Sequence, residues 1–427
     1  MKLAVICPHF APDTAPTGDV MTRIVEELAA RGHELHVVTA LPWYRHHRIE
    51  PEWQGRRVRT ETTAWGSVTR VDPFPGPDKT SLVRRAVGFA AFSLLAGGSG
   101  IRGGRVDGVL AMSPPLTLGL TGWAMHLVRR GPLVFNIQDV FPDAAIETGA
   151  ITNPVVLGVA RWLERVSYHR SAAVTVLSDD LRDNVIAKVA PGKRSSVRVI
   201  PNFVDVDAIR PLDRMTDYRA ELGIGAEPVV MYAGNVGFSQ SLELVLGAAK
   251  ALPHVTFVVN GGGSAKISLQ DASTGIANVR FGNYQPKERL AEVLATGDVH
   301  VVPLRAGLAS VSVPSKTYSI LAAGRPLVAS IDPGTEVTNI VARAGCGRAV
   351  PPDAQEPFTA ALAELTADPV AAARMGAAGR SWVEGWASPA AVAEAYEALF
   401  VELSAARKRR RRRAPRRGDP PGGGPSL

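Results

Sequence analysis

The sequence predicts an α/β protein built from two doubly wound parallel-sheet halves, and three observations predict it. Short apolar runs alternate with stretches of helical periodicity, which is the pattern of strand, crossover helix and parallel strand. The alternation halts at Pro201-Asn202-Phe203-Val204-Asp205 and starts afresh at Val229. The chain has 427 residues, enough for two apolar cores of ordinary size.

In the first half, residues 3–7 form a short apolar strand. Residues 19–30 place Val20, Ile24, Leu28 and Ala29 at helical spacing, Gly32 closes that helix, and 35–39 is the next strand. Further strands are predicted at 68–71, 108–112, 133–137, 173–177 and 197–200, with helices at 82–95, 116–128, 154–169 and 180–189. The second half reads as strands 229–233, 256–260, 279–282, 299–302 and 327–330. Helical stretches fall at 241–252, 286–294, 316–323, 336–343, 356–365 and 370–384. A last helix, 389–403, follows the Ser388-Pro389 start. The expected division is therefore 1–205, 206–388, a closing helix 389–404, and a low-complexity tail 405–427. The tail buries too little apolar surface to offset the entropy of ordering it, so disorder is predicted there. Two facing halves would frame a cleft, and sheets of this kind bind ligands beyond the carboxyl ends of their strands.

The formal charge of +8 suggests nucleic acid until it is located. Nine Lys or Arg between Arg407 and Arg417, against the single Asp419, give 9 − 1 = +8 and leave the rest of the chain neutral. The tail lacks interleaved aromatics, so no nucleic-acid partner is expected. Cys7 and Cys346 form no paired framework, and no export signal precedes the first strand, which points to a cytoplasmic protein. No apolar run reaches the ~18 residues of a membrane span. The segment from Arg84 to Arg105 has an apolar centre between basic flanks; it fits peripheral contact with an anionic membrane and equally a buried core helix.

Chemistry concentrates in a few turns. Gly234-Asn235-Val236-Gly237 follows a strand, and Val313-Pro314-Ser315-Lys316 opens a helix about eighty residues on. Free N–H groups at such turns meet phosphate oxygens, and a first-turn Lys opposes the helix dipole unless an anion sits there. This makes Lys316 the candidate cation for a diphosphate, against a solvated surface lysine. No Asp-x-Asp motif stands convincingly at a strand end, so neither metal nor cofactor is expected; Asp179-Asp180 reads as helix capping. Asp139, in Asn136-Ile137-Gln138-Asp139, follows a buried strand and could accept a proton from an acceptor hydroxyl or cap a helix. His9, Asp13 and Gly18 lie in the loop after the first strand, suited to acceptor contact or to ordinary loop structure. Gly261-Gly262-Gly263 lacks the spacing of a dinucleotide loop and reads as a pocket edge.

These blocks in this order resemble the retaining glycosyltransferases of family 4, which have the GT-B fold, and most closely the branch that builds O-antigen and colanic-acid type surface polysaccharides. The resemblance covers roughly residues 1–403. It implies transfer from a nucleoside-diphosphate sugar, UDP-linked, to a lipid-linked or glycan acceptor, at the inner face of the plasma membrane, and a last helix returning to the first domain. Donor contacts would fall on Gly234, Asn235, Gly237, Gln240, Ser315, Lys316 and Ser319, with Asn283 and Tyr284 at the base; the acceptor would meet His9, Asp13, Gly18 and Asp139. Catalytic roles would fall to Asp139 and Lys316. The chain departs from the family in two places. Asn235 and Ser241 stand where the family has Arg and Lys, and Val311 and Ser319 stand where it has two glutamates. A sugar-nucleotide epimerase and a non-catalytic sugar-nucleotide-binding protein remain the alternatives.

Overall fold

The computed structural model describes residues 1–45, 48–74, 82–143, 153–307 and 316–413. The chain separates into two compact units, one of residues 1–177, 181–200 and 393–427, the other of 178–180 and 201–392.

The first unit holds strands β1 (Lys2–Ile6), β2 (Glu34–Ala40), β3 (Val58–Thr63), β4 (Gly66–Val71), β5 (Gly108–Ser113), β6 (Leu133–Ile137), β7 (Ala173–Val176) and β8 (Val197–Val199). They form one sheet in the order β3-β4-β2-β1-β5-β6-β7-β8. Only β3 runs antiparallel, against β4 at the sheet's edge. Helices α1 (Pro16–Ala30), α2 (Leu82–Gly100), α3 (Thr117–Arg129), α4 (Pro154–Arg170) and α5 (Asp179–Lys188) supply the crossovers. Central strands are buried on both faces, which explains their unbroken apolar sequences.

The apolar centre of α2 is divided between core and surface. Phe92 and Ala96 are buried among Ile6, Val71 and Val109, while Val87 and Leu94 stay exposed. Among the described residues no helix is long and apolar enough to cross a membrane.

The second unit contains β9 (Val229–Ala233), β10 (Thr256–Asn260), β11 (Val279–Gly282), β12 (Val299–Pro303), β13 (Leu327–Ser330) and β14 (Gly347–Val350), in the order β11-β10-β9-β12-β13-β14 and parallel throughout. Its helices are α6 (Asp217–Glu221), α7 (Glu243–Ala251), α8 (Lys266–Ala272), α9 (Leu290–Thr296), α10 (Lys316–Ala322), α11 (Glu336–Ala344), α12 (Gln355–Ala367) and α13 (Pro369–Trp386). The division lies at Pro201 rather than after residue 205. Val204 and Ile209 already pack with Tyr318, Leu321 and Ile340, and the Val204 amide donates to the Ala387 carbonyl at 3.0 Å.

The last helix, α14 (Pro389–Arg413), belongs to the first unit from Ala393 onward. It runs past the expected stop, because Lys and Arg are good helix formers and the preceding turns have already met the cost of nucleation. Residues 414–427 of the expected tail lie outside the described residues. Asn136 donates to the Tyr396 hydroxyl at 2.9 Å, Glu397 pairs with Arg31 at 2.6 Å, and Phe400 packs so closely over Gly108 that a Cβ there would come within 2.3 Å of its ring. Phe400 is fully buried. Phe400→Ala is therefore expected to destabilise the protein by about 3–5 kcal/mol, read as a lowered urea midpoint; an unchanged midpoint would mean that α14 does not hold this unit together.

Candidate active site

In the second unit the candidate residues gather at the carboxyl ends of β9, β10 and β11. Gly234 follows β9 with φ +146°, a backbone shape that L side chains rarely adopt. A Cβ placed there would lie 3.1 Å from Lys316 Nζ, so the two motifs, far apart in sequence, meet in space. The Lys316 ammonium donates to the Tyr232 hydroxyl at 2.7 Å and stands 4.0 Å from the centre of that ring. Tyr232 is fully buried and donates in turn to the Asn235 carbonyl, so β9, its turn and the start of α10 form one fixed unit.

No carboxylate compensates this ammonium among the described residues, and burial alone lowers its pKa from 10.5 to about 8. That difference corresponds to roughly 3 kcal/mol in favour of the neutral amine. A partly desolvated cation with no carboxylate partner among the described residues, beside a glycine-walled turn, is suited to an anion, because a buried charge without a partner is costly until one arrives.

The remaining donor candidates divide. Gln240 braces the turn, its side-chain carbonyl accepting from the Gly237 amide at 3.0 Å while its amide donates to Ser239, so both polar ends serve the loop. The Asn283 side-chain carbonyl accepts from Lys266 Nζ at 2.8 Å, and Lys266 also bonds the carbonyls of Gly261 and Gly282, which ties the ends of β10 and β11 together. Tyr284 is 60% exposed with its ring against Gly262, free to present a face to a planar ligand. Ser319 is half-buried on α10. Val311 and Ser315 lie outside the described residues. Tyr232 and Lys266 were missed in the sequence. Tyr232 fits the apolar strand pattern, and Lys266 opens α8, a helix with weak periodicity.

The first unit brings its own candidates together. His9 Nδ1 and Asp13 Oδ2 are 2.6 Å apart, with Asp13 buried and its other oxygen accepting the Tyr44 amide at 3.0 Å. The imidazole stacks on Trp43 at 5.7 Å and meets the edge of Tyr44 at 5.4 Å. Gly18 permits this packing, since a Cβ there would come 2.9 Å from His9 Cβ. Trp43 and Tyr44, unnoticed in the sequence, thus wall the imidazole that the buried carboxylate orients. Asp139 lies two residues beyond β6, at the same edge of the sheet as the loop after β1. Its side chain is exposed, caps no helix among the described residues, and has its pKa raised by desolvation from the surrounding protein. Among the described residues no cluster of three metal-ligating side chains occurs.

Two Rossmann-like parallel-sheet units are the architecture of the GT-B glycosyltransferases. The chain belongs to the family 4 glycosyltransferases: residues 17–202 match the glycosyl transferase 4-like domain and 227–368 the glycosyl transferases group 1 domain. It is 27% identical over 364 residues to the protein named as the colanic acid biosynthesis glycosyl transferase WcaI of Escherichia coli (strain K12), covering 79% of this chain and 85% of that one. Among solved structures, sucrose-phosphate synthase from Thermosynechococcus elongatus shares the fold with a TM-score of 0.68 at 18% identity, over 95% of this chain and all 100% of that one. Anabaena HepE in complex with UDP gives a TM-score of 0.63 at 13% identity, over 94% and 100% of the two chains.

Proposed function

We propose that this glycosyltransferase moves a sugar from a UDP-linked donor to a lipid-linked or glycan acceptor in cell-surface polysaccharide assembly, with retention at the anomeric carbon, on the cytoplasmic side of the membrane. The observation that carries the donor half is the unpaired Lys316 ammonium set against Gly234. As the glycosidic bond breaks, negative charge grows on the departing diphosphate, and a cation held in a partly dry site stabilises it more than it stabilises the neutral bond. Lys316 is fixed by Tyr232 before the donor arrives, so little reorganisation is needed at the moment of reaction. Tyr284, and Asn283 held by Lys266, would meet the base.

The bound UDP of Anabaena HepE and the colanic acid pathway in the name of the Escherichia coli relative support this choice of donor and acceptor class. Retention is the family's expectation, with same-face attack and the leaving phosphate taking the acceptor proton. Asp139 and the His9–Asp13 pair would then position the acceptor hydroxyl. Asp13→Asn is expected to lower transfer about tenfold to a hundredfold while UDP affinity holds, since the two groups belong to different units; equal turnover would release the pair from any role.

The test of the whole reading is incubation with UDP-sugars, with and without a polyprenyl-diphosphate-linked sugar. UDP release that needs the acceptor supports transfer. A new sugar epimer formed without acceptor would overturn it in favour of isomerisation.

A further inference from the structure

Helix α4 carries apolar side chains on its outward face as well as on the side that packs against the sheet, where Leu163 and Tyr168 join the core. Its inner side is Ala160, Glu164, Ser167 and Tyr168, all buried. Val155, Val159, Trp162 and Val166 follow at spacings of four, three and four residues. At about 100° per residue they fall within roughly 60° of arc, nearly opposite the buried side. That outer stripe should be polar. Instead Val155 is 73%, Val159 54% and Trp162 57% exposed.

The exposed charges on the helix itself are basic. Arg161 and Arg165 are exposed on one flank and make no ion pair among the described residues. Arg170 lies over the Trp123 ring at 4.5 Å. The helix's sole acid, Glu164, is turned inward, where Lys188 at 2.8 Å and the Tyr168 hydroxyl at 3.1 Å hold it. The outer surface of the helix therefore offers apolar side chains, an indole and guanidinium groups, while Asp143, a carboxylate near enough to act on Arg161, is engaged by Lys188 at 2.6 Å. A partly inserted helix at a lipid headgroup layer has this composition, with tryptophan at the boundary and arginines on the phosphates. An acidic protein would meet the arginines but not the four-residue apolar stripe.

Position strengthens the case. Each crossover helix in a parallel sheet begins at the carboxyl end of the preceding strand, so the first turns of α4 lie at the same end of the unit as Asp139 and the His9–Asp13 loop.

We infer that the outward face of α4 docks this protein on an anionic membrane, with Val155, Val159 and Trp162 in the headgroup boundary and Arg161 and Arg165 on lipid phosphates. The inference takes from the proposed function only that the acceptor is lipid-linked, and the binding test needs no substrate.

The full chain is sedimented with vesicles of phosphatidylcholine and phosphatidylglycerol in equal parts, and with pure phosphatidylcholine. The wild type should partition onto the anionic vesicles. A triple variant, Val155→Ser with Val159→Ser and Trp162→Ser, should lose about tenfold or more in partition. Arg161→Gln with Arg165→Gln should lose roughly fivefold per arginine at low salt and nothing on pure phosphatidylcholine. Every variant keeps the basic tail, so the tail cannot account for the difference, and unchanged melting curves show that each is folded. Equal partition of the triple variant and the wild type would overturn the inference. So would a wild-type dimer, seen by light scattering, that the triple variant disperses while vesicles bind neither. Transfer to a water-soluble acceptor should be unaffected in the triple variant, which separates loss of docking from loss of activity.

Discussion

Lys316→Ala is expected to weaken UDP binding by about 10- to 100-fold, the range for losing a hydrogen bond to a charged group, while the melting temperature stays level or rises slightly. The two readouts part because the ammonium serves the ligand more than the fold. In the free protein it is half-buried, has no carboxylate partner among the described residues, and titrates at about 8 instead of 10.5. A cation whose folded pKa is depressed destabilises the fold wherever it is charged. Here that penalty is complete below pH 8 and is relieved as pH rises from about 8 toward 10.5. A bound diphosphate reverses the balance by favouring the ammonium. UDP affinity should therefore be level below pH 8 and fall above it, with proton uptake on binding near that pH. Calorimetry in buffers of different ionisation enthalpy would show the uptake, and Lys316→Ala should abolish it.

Gly261→Ala should have the largest effect on the second unit's stability. Gly261 has φ +138°, and a Cβ there would stand 1.9 Å from the Gly234 carbonyl oxygen. Its own amide faces the Gly282 carbonyl at 3.3 Å, so the residue is wedged where the turns after β9, β10 and β11 converge. Left-handed strain and overpacking together come to about 3 kcal/mol or more, or a fall of about 6–12 °C in melting temperature for a unit of this size. Because the displaced carbonyl belongs to Gly234, UDP binding should fail alongside. A variant with wild-type melting and wild-type UDP affinity would mean that these turns have room for a methyl group.

Most of the fold was legible because buried parallel strands carry a strong signal. Residues 229–233, 256–260 and 327–330 are short, mainly apolar runs rich in valine, and those strands stand where they are expected. The elements that escaped lack this signal. Strand β3, Val-Arg-Thr-Glu-Thr-Thr, is exposed along most of its length and is held by its hairpin with β4. Strand β14 is four residues of edge, and α8 buries only Leu269. Helix α14 continues to Arg413 because the helix propensity of the arginine run outweighs its low apolar content.

The candidate site is legible in its charged and glycine residues and illegible in its scaffolding. Charge and glycine content single out Lys316, Gly234, His9 and Asp13 in the sequence, and the structure brings Lys316 beside Gly234 and His9 beside Asp13. That Tyr232 seats the lysine, that Lys266 pins Asn283, and that Trp43 and Tyr44 wall His9 depend on contacts no local pattern encodes. Gln240, which looked like a donor contact, is turned into the loop that it braces.

The central claim is that a single uncompensated ammonium receives the donor's diphosphate. Titrating UDP by calorimetry against wild type and Lys316→Ala across pH 7 to 10 tests it most directly. The account predicts wild-type affinity that is flat up to about pH 8 and declines beyond, and a weak, pH-independent affinity in the variant. Equal affinities with the same pH profile would contradict it.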